Sequence, residues 1–348
     1  MSDPITVSRD DALAETNDSG EYRAPWWLPG GHLQTIYARS LARNYAVRYR
    51  RERWETPDDD FIDLDWLDEA PDRAKLLVLF HGLEGCSRSH YGVSLMALAN
   101  RQGWRGVVPH FRGCSGESNR LTRSYHSGDS CEINWILRRL RREDPGRRIY
   151  VVGVSLGGNM LLKWLGEERE AAAGIVERAV AVSTPMDLAA AAGVLDAGLN
   201  RFIYTSHFLG FLKPKALAKI AAHDLAIDAR AIRASLTFRQ FDDLFTAPVH
   251  GFKNAEDYWI RCSSRPWLKT IKVPTLVINA RNDPFLPEGA LPNTEEVSDS
   301  VTLDFPREGG HVGFVSGKFP GHLEWLPRRT IGFFAGLNIS IARRKKTR

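Results

Sequence analysis

Ser155 stands in the pentad Gly153-Val154-Ser155-Leu156-Gly157, directly after the apolar run Ile149-Tyr150-Val151-Val152. A serine hydroxyl is a weak nucleophile and attacks a carbonyl only when a neighbouring base takes its proton. A G-x-S-x-G set between an apolar strand and a helix is the setting that lifts such a serine onto a sharp, strained turn. The glycines matter because residues flanking that turn must lack side chains where strand and helix approach. A base is available in Arg307-Glu308-Gly309-Gly310-His311-Val312-Gly313-Phe314, a glycine-flanked loop behind the run Val301-Thr302-Leu303-Asp304-Phe305. Of the ten histidines, His311 and His322 alone lie beyond the last strand candidates. A carboxylate to hold the imidazole in one tautomer is offered by Asp283, in Arg281-Asn282-Asp283-Pro284-Phe285 behind Pro274-Thr275-Leu276-Val277-Ile278-Asn279-Ala280. Each residue taken singly has an ordinary reading: a buried βα turn, a solvated loop histidine, a turn-forming Asp before Pro. Their order Ser, Asp, His, each directly behind a strand candidate, favours acyl-transfer chemistry. His322, Asp304 and Glu308 are the weaker candidates.

Such chemistry needs donors for a tetrahedral oxyanion, each worth roughly 3–4 kcal/mol. The Leu156 amide, just behind the serine, is one. The other is expected from His81-Gly82-Leu83-Glu84-Gly85, behind the run Leu76–Phe80, with the Leu83 amide as the donor. His81 is read as a brace for that loop.

These residues need a frame in which several strand ends share one edge. Strand candidates are Phe61–Trp66, Leu76–Phe80, Gly106–Val108, Ile149–Val154, Ala179–Val182, Thr275–Asn279 and Val301–Phe305. The runs at Leu76, Ile149 and Thr275 are continuously apolar, as strands buried on both faces are. Helical segments alternate with them, so an α/β fold with a mostly parallel sheet covered on both sides is predicted. Ile133, Ile136, Leu137 and Leu140 mark one buried helix face, with Ser127 or Asp129 as N-cap. The helix behind Ser155 is apolar nearly all round. Residues 187–265 break the rhythm with Ala-rich helical segments and no strand, and are expected to form a cap over the C-terminal edge of the sheet within one domain spanning residues 21–340.

Composition narrows the class. The 348 residues are 43% hydrophobic and 26% charged, with a net charge of +5, as in globular proteins with a sizeable core. The sequence holds no run of roughly 18 uncharged apolar residues. Residues 1–20, polar and nearly free of aromatics, are expected to be a disordered tail without a signal-peptide core, which places the protein in the cytoplasm. Residues 341–348 form a basic tail, compatible with weak association at an anionic membrane surface. Lacking a basic surface with stacking aromatics, the sequence offers no nucleic-acid-binding module. The four cysteines are unpaired by any metal-ligand spacing and are read as free thiols. The chemistry needs no metal and no organic cofactor.

Several longer motifs carry a resemblance. Pro25-Trp26-Trp27-Leu28-Pro29-Gly30-Gly31-His32-Leu33-Gln34-Thr35, HGLEGCSRSHY from His81, FRGCSGESNR from Phe111 and YHSGD from Tyr125 occur in order with GVSLGGN and RNDPF. Together, over about residues 22 to 335, they resemble the YheT-like hydrolases, which group with the eukaryotic ABHD1/ABHD3 type. The resemblance implies an α/β-hydrolase fold, with a triad of Ser155, Asp283 and His311. It also implies carboxylic ester substrates, short- to medium-chain esters or acylglycerols. Alcohol acyltransferases and phospholipases occur among such relatives, so transfer to an alcohol is the first alternative; a non-catalytic binding protein on a hydrolase scaffold is the second. His110 stands where such sequences often carry Asn. Arg112 and Asp129 are read as a buried ion pair tying loops together, and Trp26 and Trp27 as core.

Overall fold

A computed structural model describes residues 22–67 and 75–336. The tails expected over residues 1–20 and 341–348 lie outside the described residues.

The sheet has eight strands in the order β1-β2-β4-β3-β5-β6-β7-β8. They are β1 Arg50–Glu55, β2 Phe61–Leu67, β3 Leu76–Phe80, β4 Arg105–Pro109, β5 Ile149–Val154, β6 Arg178–Val182, β7 Thr275–Ile278 and β8 Val301–Asp304. From β4 through β8 every neighbouring pair is parallel, and β1 and β2 run antiparallel at one edge. The predicted strands are all present, with ends within about one residue of expectation. β1 was not predicted, because Arg50-Arg51-Glu52-Arg53-Trp54-Glu55 has the composition of a loop. It forms because its charges meet partners across the ladder: Arg51 lies opposite Asp65 and Arg53 opposite Asp63, each pair closing an ion pair at 2.8 Å.

The helices that matter for the site are α1 Gly31–Ala38, α2 His90–Arg101, α3 Ser130–Glu143 and α4 Leu156–Glu168. Behind them come α5 Leu188–Leu195, α6 Ser206–His223, α7 Ala255–Cys262 and α8 Trp325–Phe334. Alternate residues of the strands face opposite cores. Val78, Phe80 and Val151 pack with Ile133 and Leu137 of α3 and Met160 and Trp164 of α4. Leu77, Leu79 and Val152 pack with Leu95 and Met96 of α2 and Ile331 and Phe334 of α8. The predicted face of α3 is buried, but Asp129, at its N-cap position, does not cap it with its side chain. Between β6 and β7 the described chain is helical throughout its regular elements. No described helix is long and apolar enough to cross a membrane.

Two sequence readings are corrected here. Arg112 does not pair with Asp129; it binds Asp58, Asp60 and Glu132 at 3.0, 2.8 and 2.6 Å, while Asp129 pairs with Arg123. Buried among three carboxylates, the guanidinium already has its donors engaged. Trp26 is not core: it is 92% exposed, on a turn that directs Leu28 inward. Its neighbour Trp27 is partly buried against Tyr37 and Phe319.

Candidate active site

Because β5, β7 and β8 run parallel, their C-terminal ends lie at one edge, and the loops behind them carry Ser155, Asp283 and His311. Ser155 links β5 to α4 with φ 53° and ψ −118°, a conformation that a residue with a side chain adopts only when its surroundings impose it. The glycines allow the tight approach this requires. A Cβ on Gly157 would lie 2.5 Å from the carbonyl oxygens of Phe80 and His81, and one on Gly153 would lie 2.5 Å from the Gly157 oxygen.

The three side chains form a continuous hydrogen-bond chain. Ser155 Oγ donates to His311 Nε2 at 2.9 Å, and His311 Nδ1 donates to Asp283 Oδ2 at 2.8 Å. The second oxygen of Asp283 accepts the Phe285 amide at 2.8 Å, which fixes the carboxylate's orientation. The Phe285 ring stacks on the imidazole, with centroids 3.9 Å apart. Asp283 and His311 are buried, so the polar chain is screened from bulk water.

Four consecutive backbone N–H groups in the His311 loop donate to side-chain oxygens from three places in the chain. Gly309 donates to Gln34 Oε1 at 2.9 Å, Gly310 to Asn282 Oδ1 at 3.0 Å, His311 to Thr35 Oγ1 at 2.8 Å and Val312 to Ser183 Oγ at 3.0 Å. His90 Nε2 adds a bond to the Val312 carbonyl at 2.8 Å. Gln34 Oε1 also accepts from Asn282 Nδ2 at 3.0 Å, so one fully buried amide ties α1 to the loops of both Asp283 and His311. Backbone groups buried outside a ladder need such partners, and these partners fix the path of the loop. Gln34, Thr35, Ser183 and His90 were not singled out for this task by sequence reasoning. The segment Pro25–Thr35, which holds Gln34 and Thr35, and HGLEGCSRSHY, which holds His90, gave a signal as motifs, with no such task assigned to these residues.

The turn behind β3 lies beside Ser155, since β3 pairs directly with β5. Its Gly82 and Glu84 amides are taken by the hydroxyls of Tyr91 at 2.9 Å and Tyr125 at 3.0 Å. That leaves the intervening Leu83 amide as the donor available there. Leu156 is the first residue of α4, and an amide in that position has no intrahelical acceptor. His81 braces the turn as expected: Nδ1 donates to the Gly82 carbonyl at 2.8 Å, and Nε2 accepts the Phe111 amide at 3.1 Å. Burial pulls its pKa down to about 3, so the ring is neutral in both roles. His110 Nε2 bonds Asp65 at 2.8 Å, away from Ser155. Asp304 pairs with Arg329 and Glu308 accepts from Gln34, so neither competes with Asp283. His322 bridges to Ser316 and takes no part in the chain.

A cavity opens over Ser155 and His311, roofed by α5, α6 and the turn around Phe241–Thr246. Its walls are mainly apolar, including Leu188, Ala192, Phe208, Leu212 and Phe285. His126, unassigned from sequence, lines it beside His250, and burial lowers its pKa to about 4. His32, also unassigned, stacks on Tyr204 of the roof and bonds its hydroxyl at 3.0 Å.

Residues 75–318 match the family described as alpha/beta hydrolase fold. YheT of Escherichia coli (strain K12), which carries an esterase name, is 40% identical over 320 residues, 90% of this chain and 93% of that protein. Phospholipase ABHD3 of Mus musculus is 28% identical, over 87% of this chain and 75% of its own length. Among solved structures, Est1E from Butyrivibrio proteoclasticus with ferulic acid bound superimposes with a TM-score of 0.53 at 15% identity, covering 82% of this chain and 98% of that one; this likeness is one of fold. A strained serine at the end of a central parallel strand, on a chain so closely matched along its length, leads to one assignment: the protein belongs to the α/β-hydrolase fold family and is a hydrolase of the YheT/ABHD3 type.

Proposed function

We propose that the protein hydrolyses carboxylic esters, either short- to medium-chain esters or acylglycerols, through an acyl-enzyme on Ser155. The unbroken chain from Ser155 Oγ through the His311 ring to Asp283 is the observation that carries this reading. His311 Nε2 takes the serine proton as Oγ attacks the ester carbonyl, and Asp283 stabilises the imidazolium that forms. The Leu83 and Leu156 amides receive the developing oxyanion. His311 then protonates the departing alcohol. Water, deprotonated by the same nitrogen, cleaves the acyl-serine and regenerates the hydroxyl. The apolar cavity wall suits a hydrocarbon chain, and the ester-directed names of the relatives agree with it.

A fluorophosphonate probe tests the nucleophile: it is expected to label the wild type and to spare Ser155→Ala. Equal labelling of the two would refute Ser155 as the nucleophile, and labelling of neither would favour a binding role for the scaffold. Turnover of p-nitrophenyl esters of increasing chain length, repeated with added glycerol or ethanol, reads the acyl preference and the acceptor. Glyceride or ethyl ester as main product would make the protein an acyltransferase on the same triad.

A further inference from the structure

The charged side chains lining the cavity are answered with one exception. Arg112 has its three carboxylates. Glu84 is held by Lys215 and by the Tyr125 hydroxyl at 2.8 Å. Asp242 is pushed up to about 7 by burial, which favours its neutral form below that pH. Lys219 differs: it is only 8% exposed, it lines the cavity, and its ammonium donates to the Leu121 carbonyl. Among the described residues no carboxylate pairs with it. An ammonium has three donors, and a buried cation without an anion is costly. Burial accordingly lowers its pKa from the ordinary lysine value.

A second polar group beside it lacks a partner. Asn119, 5% exposed, lines the same cavity and shares the Leu121 carbonyl with Lys219 through a 3.2 Å bond from Nδ2. Its Nδ2 also faces Asp60 Oδ2 at 2.6 Å and the Arg123 carbonyl at 2.8 Å, acceptors that fix which way the amide points. Its Oδ1 is buried with no hydrogen-bond partner. One end of the cavity thus holds spare ammonium N–H groups beside a buried carbonyl oxygen that lacks a partner.

The path to that end is mainly apolar, interrupted by Lys215, which Glu84 holds. Phe208 packs near Phe285, whose ring lies on His311. From Phe208 the same face of α6 continues through Leu212 and Ala216 to Lys219, all lining the cavity. Eleven residues of helix advance about 16 Å. A hydrocarbon chain leaving the serine would run along this face and meet a cation at its far end.

On the ester-hydrolase reading given above, we propose that the substrate carries an anionic group, a carboxylate or a phosphate, remote from the bond that is cut, and that Lys219 is its counter-ion. Selection follows from charge: a neutral chain of equal length leaves the ammonium buried and unpaired, whereas an acidic one completes it.

The test compares p-nitrophenyl alkanoates with mono-p-nitrophenyl esters of dicarboxylic acids and with ω-phosphonoalkanoate p-nitrophenyl esters, over a range of chain lengths. The wild type is expected to show kcat/KM for the best acidic ester at least about tenfold above its neutral counterpart of equal length. Preference for the dicarboxylate series or for the phosphonate series identifies which acid is the natural one. Lys219→Met is expected to collapse the ratio to about unity or below, and Lys219→Arg to retain much of it. A lysine that merely braced Leu121 would change both rates together and leave the ratio alone. A wild-type ratio near unity, with Ser155-dependent turnover of neutral esters, overturns this inference and leaves the esterase reading standing; it needs no variant that must fold. Turnover of neither series overturns both.

Discussion

Asp283 shows how much of the proposed chemistry depends on orientation. One of its oxygens is spent on the Phe285 amide and the other receives His311 Nδ1–H, so the ring presents its free nitrogen to Ser155. Asp283→Asn keeps the size and much of the bonding but offers an amide where an acceptor is needed. It is expected to lower kcat by roughly 10³–10⁴ with little change in melting temperature; ester turnover and a thermal melt measure the two. Asp242 is the opposite case, a carboxyl that burial holds protonated up to about pH 7. In the unfolded chain it ionises near 3.8, so the native state loses stability as pH rises from about 4 to 7 and stays lower above that. Asp242→Asn removes the ionisable group, and its melting temperature relative to wild type should therefore rise from pH 4 to pH 8. A difference independent of pH would contradict a buried neutral carboxyl. The proposed triad was legible at this scale because each member stands directly behind an apolar strand. Gln34, Thr35 and Ser183 were not, since their work is hydrogen bonding to amides as much as 275, 276 and 129 residues away.

Elements were legible where burial wrote itself into composition. β3, β5 and β7 are apolar on both faces because helices cover both, and such runs have few other uses. β1 was not, since an edge strand stabilised by cross-strand ion pairs looks like a charged loop. Residues 187–265 were read as a helical cap, but their local detail was not legible. Pro214 argues for a helix end on local grounds, yet α6 continues through it, and the π-helical turns at Arg201–Thr205 and Asp242–Thr246 leave no sequence mark. α1 carries a testable consequence of close packing between elements. A Cβ on Gly31 would lie 1.9 Å from the Asn282 carbonyl oxygen, so Gly31→Ala must push α1 and the Asp283 loop apart. A destabilisation of about 1–3 kcal/mol is expected. The loss of ester turnover should exceed that of a variant with equal destabilisation in α8, remote from the loops. Denaturant titration alongside kinetics separates the two.

Across the whole molecule, buried neutral histidines set the response to acid. Burial lowers the pKa of His81 to about 3 and of His90 and His126 to about 4. In the unfolded chain each takes up its proton near 6.5, so the stability they contribute is present above that value and is lost as pH falls toward 4. Asp242 and Glu132, both raised by burial, act in the opposite sense over much of the same window. With three rings against two carboxyls, the balance over this range is a loss of stability as pH falls. Urea midpoints measured at pH 6.5, 5.5 and 4.5 should fall in sequence; a flat series would mean that these rings ionise freely in the native state.

The amide of Gln34 also has a consequence in time. It grips Gly309, which follows it by 275 residues, and a ribosome adding 5–20 residues per second needs on the order of 14 to 55 s to make that stretch. From residue 155 onward in that period the nascent chain has its serine but neither the imidazole nor the loop that would aim it. A chain released early, before residue 309, would be inert toward esters, however well its first strands had folded. If so, competence arrives at a single late moment, and unfinished copies cannot attack the esters around them.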